Sequence, residues 1–203
     1  MDITSRQIDV LKELINIGVG KAAGILNEMV RFHVVLQVPF VKLLTHHQLS
    51  SEMKELGRYR IAAVRLGFKG PFAGTAALVF PPESALKLVS VLTGEEPGSP
   101  DLDSVRAGTL TEVGNIVING VMGSLGNILK KHINYSLPTY IEDTIDNLLV
   151  DNDAGPDPTV LLVRTTFSIR QLQIDGDVIL LFEVGSFDAL LTAIDTISHV
   201  PGE

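Results

Sequence analysis

Slid along itself by 99 residues, the 203-residue chain matches its own sequence: residues 11–39 fall on 110–138 with eight identities in 29 positions. Average composition would give roughly two. The identities are Leu11/Leu110, Glu13/Glu112, Asn16/Asn115, Ile17/Ile116, Gly24/Gly123, Leu26/Leu125, His33/His132 and Pro39/Pro138. Farther on, an offset of 102 aligns Gly74, Leu78, Phe80, Ser84 and Leu88 with Gly176, Leu180, Phe182, Ser186 and Leu190, so three residues are inserted in an intervening loop. A period of about 100 residues restricts the fold to two copies of one supersecondary unit. The chain (residues 1–203) reads as a single domain built of two repeats, about 4–95 and 103–197.

Both halves carry the same pattern. Thr4 and Gln7 form a capping-box signature. Behind them Ile8, Leu11, Ile15, Ala22, Leu26 and Met29 give an apolar stripe of helical period. The counterpart helix is expected from near Asp103 to about Lys131. Each helix is followed by a segment ending at proline, FHVVLQVP and INYSLP, read as a first strand. Two more strands and a short helix follow in each half, the helices at about Glu83–Leu92 and Ser186–Ile197. Asp175-Gly176 suits a type I′ hairpin turn; Lys69-Gly70-Pro71 is its first-half counterpart. The expected fold is α+β, α-β-β-β-α twice with a pseudo-two-fold axis. Two antiparallel three-stranded units would join in one sheet, because an unpaired edge in each half would invite aggregation. The two long helices would lie on that sheet.

Composition excludes several functions. The net charge of −8 and pI near 5.1 argue against phosphate-backbone binding, which needs clustered Lys and Arg. Residues 1–101 carry +1 and residues 102–203 carry −9, with six carboxylates and no base in Glu142–Asp157, read as a solvated loop. Val113–Leu129 is uncharged but holds three Asn and four Gly, a poor bilayer span. The opening MDITSRQIDVLKEL lacks the order of a signal peptide. The absence of cysteine excludes disulfides, thiolate catalysis and Cys-ligated zinc. A cytoplasmic chain without membrane insertion or nucleic-acid partner is expected.

Most candidate motifs fail on spacing. Gly18-Val19-Gly20-Lys21 has Ile15 where a phosphate loop needs glycine and Ala22 where it needs Ser or Thr, and it sits in a helical pattern. Asp151-Asn152-Asp153 begins like a calcium loop, but Gly155 and Leu162 stand where oxygen ligands are required. His46 and His47, read on a strand, would point to opposite faces. His33 and His132 follow the long helices, where a cation suits the carbonyl end. No metal or cofactor site is expected on this chain.

What remains is Glu-x-x-Asn, present as Glu13/Asn16 and Glu112/Asn115 at the same place in each repeat. Three-residue spacing puts both side chains on one helix face. Asparagine is a mediocre helix-interior residue, so its retention in both copies calls for a reason other than stability. Asp9-x-x-x-Glu13-x-x-Asn16, followed after 22 residues by Pro39, resembles the signature of the CheC/CheX/FliY chemotaxis phosphatases. Glu112-x-x-Asn115 with Pro138 repeats it, and the resemblance, most like the CheC branch, covers essentially the whole chain. Flagellar-switch members carry an added C-terminal domain, which a chain of this length is not expected to hold.

The resemblance implies a hydrolase, a protein phosphatase of two-component signalling acting on the phospho-aspartate of a CheY-type response regulator. Catalytic residues would be Glu13, Asn16, Glu112 and Asn115, and the Mg²⁺ would belong to the regulator. A neutral carboxamide can accept from and donate to an attacking water without adding negative charge beside the phosphoryl group, while a carboxylate can pair with the regulator's lysine. The family pattern places Asp or Ser four residues before Glu. Asp9 meets it and Gly108 does not, which ranks the first site above the second. The alternatives are a non-catalytic module binding the phosphorylated regulator or the deamidase CheD, and a scaffold of the flagellar switch.

Overall fold

The computed structural model describes residues 3–37, 39–52, 60–96, 100–149, 159–183 and 187–198. The first half runs α1 (Ser5–Val30), β1 (Val35–Leu36), β2 (Phe40–Thr45), α2 (His46–Glu52), β3 (Ile61–Lys69), β4 (Gly74–Phe80) and α3 (Pro82–Thr93). The second runs α4 (Pro100–Leu129), β5 (Asn134–Tyr135), β6 (Thr139–Asp143), α5 (Ile145–Leu149), β7 (Thr159–Ile169), β8 (Ile174–Glu183) and α6 (Phe187–Ser198). The long and closing helices fall where the apolar period places them. Thr4 and Gln7 form the full capping box. Both long helices stop at equivalent basic residues in the left-handed region, Arg31 at φ 58° and Lys130 at φ 52°.

The described strands form one antiparallel sheet in the order β1–β7–β8–β4–β3–β5, with β2 also pairing β7 and β6 also pairing β3. The expectation of two three-stranded units is corrected here. The first strand of each half leaves its own hairpin and pairs with the hairpin of the other half, β2 on β7 and β6 on β3. The registers obey the pseudo-two-fold: Phe40 faces Arg164 and its equivalent Thr139 faces Arg65. The axis passes through Ala77 and Ile179, equivalent residues that face each other across β4 and β8. This exchange removes the inner edges that two separate units would expose.

The prolines do not end strands. Leu36 faces Phe167 and Phe40 faces Arg164, so four steps on one strand oppose three on the other, a bulge that contains Pro39. Pro138 repeats it between Tyr135 and Thr139. Proline has no N–H to lend to the ladder and is accommodated where pairing is already interrupted. The hairpin turn also moves. It lies at Arg170–Gln173, with Gln173 at φ 53°, and Asp175 and Gly176 sit inside β8 opposite Ser168 and Phe167. Gly176 answers to packing, because a Cβ there would lie 2.5 Å from the Phe167 ring. The same pair recurs as Gly74 beneath Phe68. Those phenylalanines meet equivalent edge-on partners, Phe68–Phe182 at 5.3 Å and Phe80–Phe167 at 5.6 Å between centroids.

α1 and α4 cross on one sheet face over the main core, which includes Leu14, Ile15, Val64, Leu78, Ile118, Met122, Val163 and Leu180. Gly18 marks the crossing, since a Cβ there would stand 2.8 Å from the Val121 carbonyl oxygen. The phosphate-loop glycine is thus a helix-contact residue. The opposite sheet face carries a second cluster containing Leu44, Ala63, Val79, Leu162 and Ile179, joined by Leu49 of α2 and by Ile145 and Leu148 of α5. Those two short helices correct the sequence reading. His46 and His47 open α2 rather than lying on a strand, and the acidic stretch begins as strand and helix. Asp143 starts α5 by accepting from the Thr144 N–H (2.7 Å) and the Asn147 amide (2.9 Å), bonds that hold its carboxyl below the usual carboxylate range. Asp151–Asp157, with the calcium-like residues, and Ser186 lie outside the described residues. Among the described residues no helix is long and apolar enough to cross a membrane.

Candidate functional site

Helical spacing and the helix crossing together decide how the two motifs are presented. Leu14, Ile15, Gly18 and Val19 turn inward from α1, so Glu13 is exposed and Asn16 half-buried on the outward side. On α4, Val113, Gly114, Val117 and Ile118 turn inward, leaving Glu112 exposed and Asn115 half-buried. Gly114 lets this helix settle onto β3, where an added Cβ would lie 2.5 Å from the Val64 side chain. Each pair therefore rests on a helix held by core packing, with its polar tips on the solvent side. Gly108 is an exposed position inside α4, which starts earlier than expected, at Pro100.

The two sites differ in their hydrogen bonding. Asn119, one turn beyond Asn115, donates its Nδ2 to the Asn115 Oδ1 at 2.7 Å. The equivalent of Asn119 in the first half is Gly20, and among the described residues the Asn16 carboxamide has no hydrogen-bonding partner. The role of Asn119 is not legible from the repeat, because identities between the halves mark shared residues and here the first half has Gly20. Its signal was an asparagine four residues after the motif asparagine.

The remaining polar clusters among the described residues lie elsewhere. A cleft of about 180 Å³ beside the start of α4 is lined by Arg60, Pro82, Arg106, Tyr140 and Glu142 among others. Its charges satisfy one another: Arg106 pairs with Glu142 at 2.6 Å, the Tyr140 hydroxyl donates to Glu142 at 2.5 Å, and Arg60 donates to the Glu142 carbonyl at 3.0 Å. Burial, then the Glu142 carboxylate, pushes the Tyr140 phenol upward. Arg106 precedes Glu112 by six residues and so leaves α4 on a different face. His33 and His132 are exposed, and His132 Nε2 lies 3.2 Å from Asn134 Oδ1. Among the described residues no cluster of three His, Asp or Glu side chains is placed to hold a metal.

The family model described as "Chemotaxis phosphatase CheX" matches residues 62–154, a span that contains Glu112 and Asn115. "CheY-P phosphatase CheC" of Bacillus subtilis (strain 168) is 23% identical over 204 residues, covering 95% of this chain and 95% of the relative. The resemblance is to the CheC/CheX/FliY family. The FliY crystal structure from Thermotoga maritima superposes with a TM-score of 0.75 at 18% identity, covering 97% of this chain and 100% of that one. CheX in the CheX-CheY-BeF3-Mg²⁺ complex from Borrelia burgdorferi gives 0.57 at 19% identity, covering 85% and 99%. The antiparallel α+β fold of these FliY and CheX structures is thus the fold of this chain.

Proposed function

We propose that the chain hydrolyses the phospho-aspartate of a CheY-type response regulator in the cytoplasm, using Asn16 and Asn115. The observation that carries this reading is the repeated Glu-x-x-Asn face, outward on equivalent turns of two helices whose inner sides are fully committed to packing. Similarity to a protein named as a CheY-P phosphatase, and to a CheX solved with CheY, supports the choice of partner.

An acyl phosphate is already activated, so the phosphatase has mainly to place water in line with the phosphorus–oxygen bond that breaks. The carboxamide oxygen accepts a hydrogen bond from the water, whose protons stay with the departing phosphate, while the amide nitrogen donates toward a phosphoryl oxygen. Water oxygen bonds to phosphorus, the regulator's aspartate leaves as carboxylate, and inorganic phosphate departs. Glu13 and Glu112 pair with a cationic side chain of the docked regulator and set the register. Asp9, one turn before Glu13, adds a docking contact at the first site that Gly108 withholds from the second.

The test is phosphate release from a phosphorylated CheY-type receiver domain. Asn16→Ala and Asn115→Ala should each lower the rate at their own site by about 10²–10³-fold, the scale of a lost transition-state donor. Either single variant keeps substantial activity through the other site, with Asn16→Ala losing more kcat/KM. The double variant should approach background and still bind the regulator. A fully active double variant would sink the assignment. A wild-type chain that binds the regulator without releasing phosphate would leave the non-catalytic module instead.

A further inference from the structure

We infer that Asn119 is a positioning residue that fixes the carboxamide of Asn115, so that the two sites reach activity by different physical means. This rests on the proposed phosphatase reading and adds a residue to it. An unrestrained asparagine on a helix samples several χ1 rotamers and both orientations of its amide. The bond from Asn119 Nδ2 to Asn115 Oδ1 selects one of them. It engages one lone pair of the Asn115 oxygen from along the helix, leaves that oxygen a second lone pair, and leaves the Asn115 amide nitrogen as a donor. Rotor freedom that would otherwise be lost at each encounter is removed beforehand, which raises the chemical step without strengthening docking.

The first half supplies the contrast. Gly20 occupies the position of Asn119, and among the described residues Asn16 has no tether. A Cβ added at Gly20 would meet nothing within 4 Å, and Gly20 has no left-handed φ, so the missing tether can be installed there. The first site has Asp9 for docking and a free carboxamide, whereas the second lacks the acid and has a fixed carboxamide.

The experiment uses the full chain and reads kcat and KM separately, with a phosphorylated CheY-type receiver domain as substrate. In an Asn16→Ala background, where only the second site works, Asn119→Ala should lower kcat about five- to tenfold and leave KM within about twofold, the scale of freeing one or two side-chain rotors. Asn119→Asp should fail to rescue, because a carboxylate accepts from the Asn115 amide and turns its oxygen outward. In the reciprocal Asn115→Ala background, Gly20→Asn should raise kcat severalfold. Alanine at 119 and asparagine at 20 are each better helix formers than the residue replaced, so loss of folding does not mimic these results.

The tether is also read without catalysis, from the mobility of the asparagine side-chain amides by nitrogen relaxation. The Asn115 amide should be more ordered than that of Asn16 and become equally mobile in Asn119→Ala. An unchanged or increased kcat in Asn119→Ala, no gain from Gly20→Asn, or an Asn115 amide as mobile as Asn16 in the wild type would each overturn the inference while leaving the phosphatase reading in place. A fully active Asn16→Ala/Asn115→Ala chain would overturn the reading, and the inference with it.

Discussion

Single glycines in this chain separate into those that packing requires and those it does not. A Cβ on Gly74 would overlap the Leu181 carbonyl oxygen and lie 2.7 Å from the Phe68 ring, both on strands that flank the central β4. Gly74→Ala should therefore cost about 3 kcal/mol, the upper range for overpacking. Gly24 sits exposed in α1 with nothing within 4 Å of an added Cβ, so Gly24→Ala should stabilise by about 0.5–1 kcal/mol through helix propensity alone. Urea midpoints of the two variants, taken with unchanged m values, check both signs. Gly24 and Gly74 both repeat in the second half, as Gly123 and Gly176. Identity between the repeats therefore does not tell a required glycine from a dispensable one. The Phe–Gly pairing across the strands does.

At the scale of elements, the start of α1 is tied to the last helix as well as to itself. Gln7 closes the capping box with Thr4, and its Nε2 donates to both carboxylate oxygens of Asp195 on α6, at 3.0 and 3.2 Å. Thr4→Ala should cost about 1 kcal/mol as a lost N-cap. Gln7→Ala should cost more than Thr4→Ala, because it also removes the link to α6. Thermal unfolding of both variants, with hydrogen exchange of α6 amides, distinguishes a local from a shared loss. The long helices and the motif residues on them were legible in the sequence because apolar period and repetition are local signals. Glu13, Asn16, Glu112 and Asn115 all occupy the outward face that the spacing implies. The short helices α2 and α5 span barely one or two turns and have no room for a readable period. Asp175-Gly176 misled because a turn dipeptide and a glycine demanded by Phe167 look alike until the ring is in place. Asn119 was hidden because repetition reveals what the halves share, and this contact is where they differ.

For the whole molecule, the exchange of first strands makes neither half self-sufficient. Residues 4–95 alone would leave β3 without β6 and β2 without β7. α1 would also lose the helix it crosses at Gly18. That fragment should be unfolded or self-associated, whereas the full chain should melt in one transition, seen alike by far-ultraviolet dichroism and tyrosine emission. Size-exclusion chromatography of the fragment tests the first statement and coincidence of the two probes tests the second. Which strand joins which hairpin depends on partners about a hundred residues away, and no local pattern reports that.

Cross-donated edges also limit how the two copies can change over time. Two identical half-length chains would satisfy each pairing of this sheet as a homodimer closed about its two-fold axis. Linking them in one gene adds no pairing, but it lets one sequence become two. A substitution in β1 or β2 is felt first by β7, in the opposite copy, so the margins of the sheet remain mutually constrained. The outward helix faces carry no such obligation. There the copies have diverged into Gly20 and Asn119, Asp9 and Gly108, and one scaffold can hold two tools that need not stay alike.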